Sequence, residues 1–294
     1  MTSSQAGQHG FSRSHQGMGK VAPGDAAYPA QLHEIPSSPK SLWFVGRLPA
    51  QGERLLAIVG ARAATRVGCE CARAIAAGLG QGGASIVSGG AFGIDAAAHE
   101  GALASGVPTF AVLGCGTDVI YPDRHAHLFA RIAASGGLVS EYPPGTPPRA
   151  RQFPARNRII AGLALAVVVV EAAHHSGALI TARLGRSLGR MLFAVPGSPG
   201  TDAYLRAGLA LPATSAADIE RVLAGGQAPC TPPAPDPLSP MLDAISRGSD
   251  TPALLCRRLG VSLPSIMAAL AEAEIEGFVR RVGGNIYEVI GRAC

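Results

Sequence analysis

Lysine and paired cysteines are scarce in this chain of 294 residues. Only two of the 25 basic residues are lysines, Lys20 and Lys40, so arginine carries almost all of the positive charge. The six cysteines include no Cys-x-x-Cys pair, which gives no support for a zinc site or a disulfide framework and favours a reducing compartment. We therefore expect a cytoplasmic protein without a bound metal.

Long hydrophobic runs are also missing. The longest, Ala161 to Val170, is too short to cross a bilayer, and residues 1–20 lack the apolar core of a signal peptide. Cofactor motifs are absent where a dinucleotide-binding fold would need them. The first strand-to-helix turn lacks G-x-G-x-x-G, and no Walker A sequence occurs. We expect no membrane partner, no nicotinamide cofactor and no ATP.

Short apolar runs alternate with helical periodicity from residue 55 to about residue 196. Strands are predicted at 55–59, 85–88, 108–113, 137–140, 165–171 and 191–195. Helices are predicted near 66–79, 93–105, 124–134, 154–162 and 177–189. Repeated strand–helix units of this length predict an α/β fold with a doubly wound, mostly parallel sheet.

The regions around this sheet differ in composition. Residues 1–25 are predicted to form a disordered tail, 26–224 the sheet domain, and 225–240 a proline-rich linker. Within the sheet domain, residues 196–214 are interpreted as closing loops because prolines and glycines are frequent there.

Residues 241–294 change character again. A short helix, a second helix capped by Ser262 and a hairpin around Gly283-Gly284-Asn285 predict a small winged-helix-like domain. The second helix, which extends to Glu276, contains no lysine or arginine. It carries Glu272, Glu274 and Glu276, so DNA phosphates would repel it. A contact with another protein is therefore favoured over recognition of DNA bases in the major groove.

Two turns and one arginine-rich stretch carry the binding prediction. Gly60-Ala61-Arg62 ends the first strand and Ser88-Gly89 ends the second, and ligands of parallel sheets bind at these carboxyl ends. The stretch 149–158 contains four arginines, one aromatic residue and no acid. Arginines that follow phosphates, next to a ring on which a base stacks, are typical of single-stranded nucleic acid binding. The net charge of +5 is compatible with such a polyanionic partner.

Plainer interpretations stand beside this one. Phe153 can fill the core while the arginines around it are solvated. Ser88, Asp95 and His99 suggest a hydrolase, but an acid near a helix start that pairs with an imidazole one turn later is the simpler explanation. His174-His175 with Glu171 is interpreted as a loop rather than a metal site.

At these motifs the chain resembles the DprA family, also called Smf, the DNA-processing proteins of bacterial natural transformation. The resemblance covers residues 28–223. Its blocks are Tyr28-Pro29, Ile58 to Arg62, Ser88 to Asp95, Leu113 to Gly116, Tyr121-Pro122, Phe153 to Ile160, Ser176 to Ala182 and Val195 to Gly197.

The resemblance implies an extended Rossmann-like fold that forms a homodimer, binds and protects incoming single-stranded DNA, and loads RecA recombinase, without a catalytic reaction. It implies that Arg62 reaches phosphates, that Phe153 stacks on a base, and that Arg156 and Asn157 shape the pocket. The residues predicted to bind DNA are Gly60, Ala61, Arg62, Ser88, Gly89, Arg149, Arg151, Phe153, Arg156 and Asn157.

Two rival functions are weighed against this one. The first is a nucleotide phosphoribohydrolase on a related fold, whose P-G-G-x-G-T-x-x-E motif ends in a glutamate. The corresponding segment here, Pro196 to Tyr204, has no glutamate at that place. The second is a transcription factor acting through the winged-helix-like domain, against which the acidic second helix argues.

Overall fold

The computed structural model describes residues 17–174, 176–227, 239–248, 250–275 and 279–289. The predictions for residues 1–16, for His175 and for residues 228–238 of the linker lie outside these ranges.

One sheet of nine strands organises the molecule. The strands are β1 Met18–Val21, β2 Leu42–Gly46, β3 Leu55–Val59, β4 Ser85–Ser88, β5 Thr109–Leu113, β6 Gly137–Ser140, β7 Ala166–Val169, β8 Met191–Ala194 and β9 Leu211–Pro212. Their spatial order is β1-β2-β6-β5-β4-β3-β7-β8-β9. The pairs β1–β2 and β2–β6 are antiparallel, and every other pair is parallel. This confirms the mostly parallel, doubly wound sheet.

Seven α-helices accompany this sheet within the described residues 17–174 and 176–227. They are α1 Arg66–Gln81, α2 Ile94–Ala104, α3 Ala126–Ser135, α4 Gln152–Leu163, α5 Gly177–Ser187, α6 Pro199–Arg206 and α7 Ala216–Leu223. Side chains cap several of their starts. Thr65 Oγ1 accepts from the Gly68 amide at α1, and Ser215 forms a capping box with Asp218 at α7.

Alternation along β3 shows why helices cover both faces. Successive strand residues point to opposite sides, so Leu55, Ala57 and Val59 join one hydrophobic core while Leu56 and Ile58 join another. All five side chains are buried. A strand buried on both faces shows a continuous apolar run in the sequence, which is why its bounds were predicted correctly.

Two predicted irregular segments contain regular structure. Residues 18–21, assigned to the disordered tail, form β1 at the sheet edge, with Val21 opposite Leu42. Backbone pairing makes this edge strand, so its composition gives little signal. Residues 196–214, interpreted as loops, contain α6 and β9. Pro199 stands in the first turn of α6, where a proline loses no intrahelical hydrogen bond and marks a helix start.

The chain reverses its direction of travel across the sheet at β3. From β3 it proceeds to β4, β5 and β6 on one side, and then crosses to β7 on the other side. Gly93 joins the two turns that follow β3 and β4. It has a φ of +74°, and a Cβ there would lie 2.2 Å from the Ala61 carbonyl oxygen. Only glycine fits this approach, which fixes the two turns against each other.

Among the residues described after the sheet domain, three helices and a hairpin are present. They are α8 Ser239–Ser246, α9 Pro252–Leu259, α10 Leu263–Ile275, β10 Val279–Gly283 and β11 Ile286–Val289. The helix α8 is an addition to the predicted elements, and it starts within the segment assigned to the linker. The observed elements agree with the predicted helix, helix and hairpin, and the winged-helix assignment stays a prediction.

No single helix in the described part of the chain has the length and apolar composition needed to cross a membrane. The bent pair Pro252–Leu259 and Leu263–Ala271 meets that test only when its two helices are counted together, by length and composition alone.

Candidate nucleic-acid interface

An open cleft of about 390 Å³ lies at the carboxyl end of β3, beside the strand β7 at which the sheet changes direction. Such a switch point leaves a crevice, because the helices on its two sides diverge. The β3–α1 turn, the first turns of α4 and the start of α5 line the cleft. Arg62, Phe153, Asn157 and Ser176 all lie on its wall.

Arg62 and Phe153 meet at the rim of this cleft. The exposed Arg62 guanidinium lies over the half-buried Phe153 ring, 5.4 Å from its centroid. The ring packs against Gly114 after β5, where a Cβ would lie 2.9 Å from the ring. Phe153 therefore does not fill the core. It stands at the surface with a cation on its face, which is where a stacked base and its phosphate would be held.

The backbone of the turn between β3 and α1 forms hydrogen bonds within the protein. The Ala61 amide donates to the Glu171 carbonyl at 2.7 Å, and the Ala61 carbonyl accepts from the Ile94 amide. A Cβ on Gly60 would lie 2.5 Å from the Ile94 side chain, so Gly60 permits close packing of this turn. Of the three residues predicted here, Arg62 alone extends a charged group into solvent.

A side-chain carboxylate already occupies the start of α1, next to this turn. The Glu171 carboxylate accepts from the Thr65 amide at 3.0 Å and from the Thr65 hydroxyl at 2.8 Å. This carboxylate neutralises the start of α1, because a negative charge is favourable at a helix N-terminus. An anion would have to displace Glu171 to bind there.

The N-terminus of α5 opens onto the cleft instead. Ser176 caps this helix, and the residues from Ser176 to Ala178 line the cleft wall. The Asn157 side-chain amide donates to the Gly177 carbonyl at 3.3 Å and holds this loop against α4. The residues alone assigned α5 no binding role, although Ser176 directly before a helical segment is a signal for a capped helix start.

The end of β4 and the turn after it, which contain Ser88 and Gly89, have a structural role. Ser88 is fully buried, and its hydroxyl donates to the Ile58 carbonyl at 2.6 Å. The Gly89 amide donates to the Asp95 carboxylate at 3.1 Å. Ser88 and Gly89, both predicted to bind DNA, are therefore buried parts of the frame.

Asp95 and His99 do not form the predicted pair. Burial raises the pKa of Asp95, which accepts from the Gly89 and Ala91 amides. The His99 Nδ1 lies 2.7 Å from the Thr109 hydroxyl instead. Burial lowers the pKa of His99 to about 3, so the imidazole is neutral. No catalytic arrangement of Ser88, Asp95 and His99 results.

Arg156 supports the cleft from inside. Its side chain is 4% exposed, and Nη1 donates to the carbonyls of Gly89, at 2.6 Å, and of Val112. Burial lowers the pKa of Arg156 to about 10, while the Asp95 carboxylate acts in the opposite direction. The guanidinium remains charged at neutral pH and lines the cleft wall, but most of its hydrogen-bonding capacity is directed at the backbone.

The other arginines of the stretch differ in their surroundings. Arg158 forms a two-pronged ion pair with Glu141, at 2.7 Å for each prong, and also donates to the Ser37 carbonyl. Arg149 and Arg151 are exposed, immediately before Phe153, and make no ion pair within the described residues. Two arginines of the four are therefore free to meet phosphates.

Among the described residues, no group of three His, Cys, Asp or Glu side chains is placed to hold a metal ion.

Comparisons with known proteins point in one direction. A family model described as DNA recombination-mediator protein A matches residues 20–223. The Smf protein of Synechocystis is 48% identical over 183 residues, which cover 61% of this chain and 46% of that protein. The chain spans about half the length of this and similar curated relatives.

Two solved structures share the fold. DNA processing protein A from Streptococcus pneumoniae has a TM-score of 0.66 and 39% identity, and the match covers 72% of this chain and 75% of that one. The Helicobacter pylori protein, whose structure describes a unique single-stranded DNA binding mode, has a TM-score of 0.64 and 30% identity, over 72% and 97% of the two chains.

These names describe DNA processing and single-stranded DNA binding rather than a catalysed reaction, in agreement with the expectation of a non-enzymatic protein. The match of the family model over most of the sheet domain, and the shared fold, confirm the resemblance seen in the sequence. The chain belongs to the DNA recombination-mediator protein A family, whose members are named DprA or Smf.

Proposed function

We propose that this protein binds single-stranded DNA along the cleft at the carboxyl end of β3. The observation that carries the proposal is the contact between the exposed Arg62 guanidinium and the Phe153 ring at the cleft rim. A base enters between these groups and stacks on Phe153, while Arg62 moves to the adjoining phosphate. The solved relative from Helicobacter pylori, described for its single-stranded DNA binding, supports this ligand.

The charges around the cleft suit a sugar–phosphate backbone. Arg62 lies on one side of Phe153, and Arg149 and Arg151 precede it on the loop that leads into α4. The N-terminus of α5 supplies a favourable dipole for a further phosphate. Because Phe153 is half-buried at a concave rim, an unpaired base reaches it more readily than a base inside a duplex.

The finer parts of the function are proposals that rest on family membership. The protein protects incoming single strands, loads RecA recombinase onto them, forms a homodimer and works in the cytoplasm. The names of the relatives support a DNA-processing role. Sedimentation of the full chain tests the homodimer, and RecA filament formation on strands covered by a single-strand binding protein tests loading.

The test of the central proposal is fluorescence anisotropy with labelled single-stranded and duplex oligonucleotides over a salt series. We expect a preference for single strands and a logarithmic salt slope near −0.7 for each phosphate neutralised. Equal, weak binding to both would contradict the proposal.

Arg62→Ala and Arg66→Ala make a matched pair for this test. Both arginines are exposed, but Arg62 lies in the turn between β3 and α1, whereas Arg66 is the first residue of α1 and is paired with Glu70. We expect Arg62→Ala to weaken binding and to lower the salt slope, and Arg66→Ala to leave both unchanged.

A further inference from the structure

Tyr121 adjoins the proposed DNA path and takes no part in the function described so far. It lies in the loop that follows β5, and its side chain is 43% exposed. Its ring centroid is 5.4 Å from that of Phe153, and the two planes are tilted by 38°. No hydrogen bond of its hydroxyl is found within the described residues. The Tyr121 ring is thus accessible to a ligand that reaches Phe153.

We infer that Tyr121 is a second base-stacking site, which receives the nucleotide next to the one held on Phe153. The inference rests on the proposed function and extends it. Stacked neighbouring bases are about 3.4 Å apart. A centroid separation of 5.4 Å is therefore within reach of two consecutive, partly unstacked nucleotides.

The placement of the two rings defines the path that a DNA strand would take across the protein. Phe153 lies on the wall of the cleft, whereas Tyr121 lies beyond it, on the side of β5. Arg62 covers Phe153 from the side of β3. A strand that leaves the cleft over Phe153 passes from the β3 side to the β5 side and meets Tyr121 next. Stacking on successive rings tolerates any base, since every base has a π face.

A matched control is available on the same sheet edge. Phe92, in the turn after β4, is 42% exposed, nearly the same as Tyr121. Its ring contacts His125 at 4.6 Å instead of Phe153. Loss of Phe92 removes a comparable exposed ring from the same edge without touching the Phe153–Tyr121 pair.

The experiment measures anisotropy of labelled single strands with the full chain and its variants. We expect Tyr121→Ala to weaken binding about 5- to 150-fold, the range for one stacked base. Tyr121→Phe keeps the ring and is expected to bind within about twofold of the wild type, as is Phe92→Ala. Unchanged binding by folded Tyr121→Ala, or an equal loss in Phe92→Ala, overturns the inference.

The double variant Tyr121→Ala/Phe153→Ala separates stacking from mere support of Phe153. Two independent stacking sites predict that the fold losses of the single variants multiply. If Tyr121→Ala has no further effect once Phe153 is gone, Tyr121 acts only by holding that ring, and the second site is disproved. Wild-type protein that fails to bind single strands removes the proposed function itself, an outcome distinct from binding that ignores Tyr121.

Discussion

The two halves of the arginine-rich stretch 149–158 have different environments. In the first half the arginines are exposed, and Phe153 faces the cleft. In the second half Arg156 is buried against backbone carbonyls, and Arg158 is held in an ion pair. One residue type is therefore open to a ligand at one end of the stretch, the proposed recognition half, and is held by the protein at the other end, the scaffolding half.

The start of α4 explains the difference. Residues before Gln152 lie on a loop, where long side chains reach solvent. Within the helix, residues four apart share a face, so Arg156 and Ile160 both point inward toward the sheet. Charge composition suggests a binding segment, and the helix phase decides which of its charges are available to a ligand.

The largest effect is expected for Arg156→Ala, in the scaffolding half. Arg156→Ala leaves the carbonyls of Gly89 and Val112 without their donor and the buried Asp95 without its opposing charge. We expect the free energy of unfolding to fall by about 3–5 kcal/mol, as when one partner of a buried pair is removed. Urea denaturation followed by circular dichroism measures this. A variant that keeps wild-type stability but loses DNA binding would make Arg156 a ligand instead.

Arg158→Ala is expected to lower the free energy of unfolding by about 1.5–3 kcal/mol, the range for hydrogen bonds to charged groups. The Arg158 side chain is largely buried, and its guanidinium links Glu141 to the Ser37 carbonyl. A double-mutant cycle with Glu141→Gln checks the pairing. Additive losses would show that the ion pair contributes nothing, and a changed affinity for DNA would move Arg158 into the recognition half.

In the recognition half, Phe153→Ala is expected to weaken single-strand binding by about 1–3 kcal/mol, the value of one stacked base. Anisotropy measures the change, and circular dichroism checks the fold. Gly114→Ala offers a second way to reach the same ring, because its Cβ would lie 2.9 Å from Phe153 and displace it. Folded Phe153→Ala with wild-type affinity would disprove stacking.

The smallest effects belong to Arg149→Ala and Arg151→Ala. Each is expected to make the logarithmic salt slope shallower by about 0.7 and to weaken binding equally for all sequences. Anisotropy over a salt series gives the slopes, with Arg158→Ala as the control from the same stretch. Slopes that match the control would mean that these two side chains stay solvated in the complex.

Sequence patterns predicted most of the sheet, because the central strands are apolar over their whole length. The bounds of β3, β4 and β6 agree with the predictions, whereas β1 and α6 were missed. An edge strand is formed by backbone pairing, which leaves little mark on its composition. The proline at the start of α6 and the glycines around it resemble a loop signal, although a proline in the first turn is compatible with a helix.

The sequence predicted which residue types form the candidate site better than it predicted which of them are exposed and in contact. An arginine at the sheet edge and an aromatic residue among arginines pointed to Arg62 and Phe153, which the structure brings together. The burial of Ser88 and Arg156 depends on tertiary packing, which no local pattern records. The contact of Tyr121 with Phe153 joins the loop after β5 to the first turn of α4, and only the fold reveals it.

The Glu171 carboxylate at the start of α1 has a consequence for competition in the cell. The first strand-to-helix turn is where dinucleotide-binding folds hold a pyrophosphate. Here that position already contains a tethered anion at 3.0 Å from the Thr65 amide. A free nucleotide is expected to bind only weakly at this turn, because its phosphate would have to displace the Glu171 carboxylate. That carboxylate is part of the chain, so its effective concentration at the turn is always high. The proposed polymeric ligand depends less on this one position, because it binds through many phosphates at once.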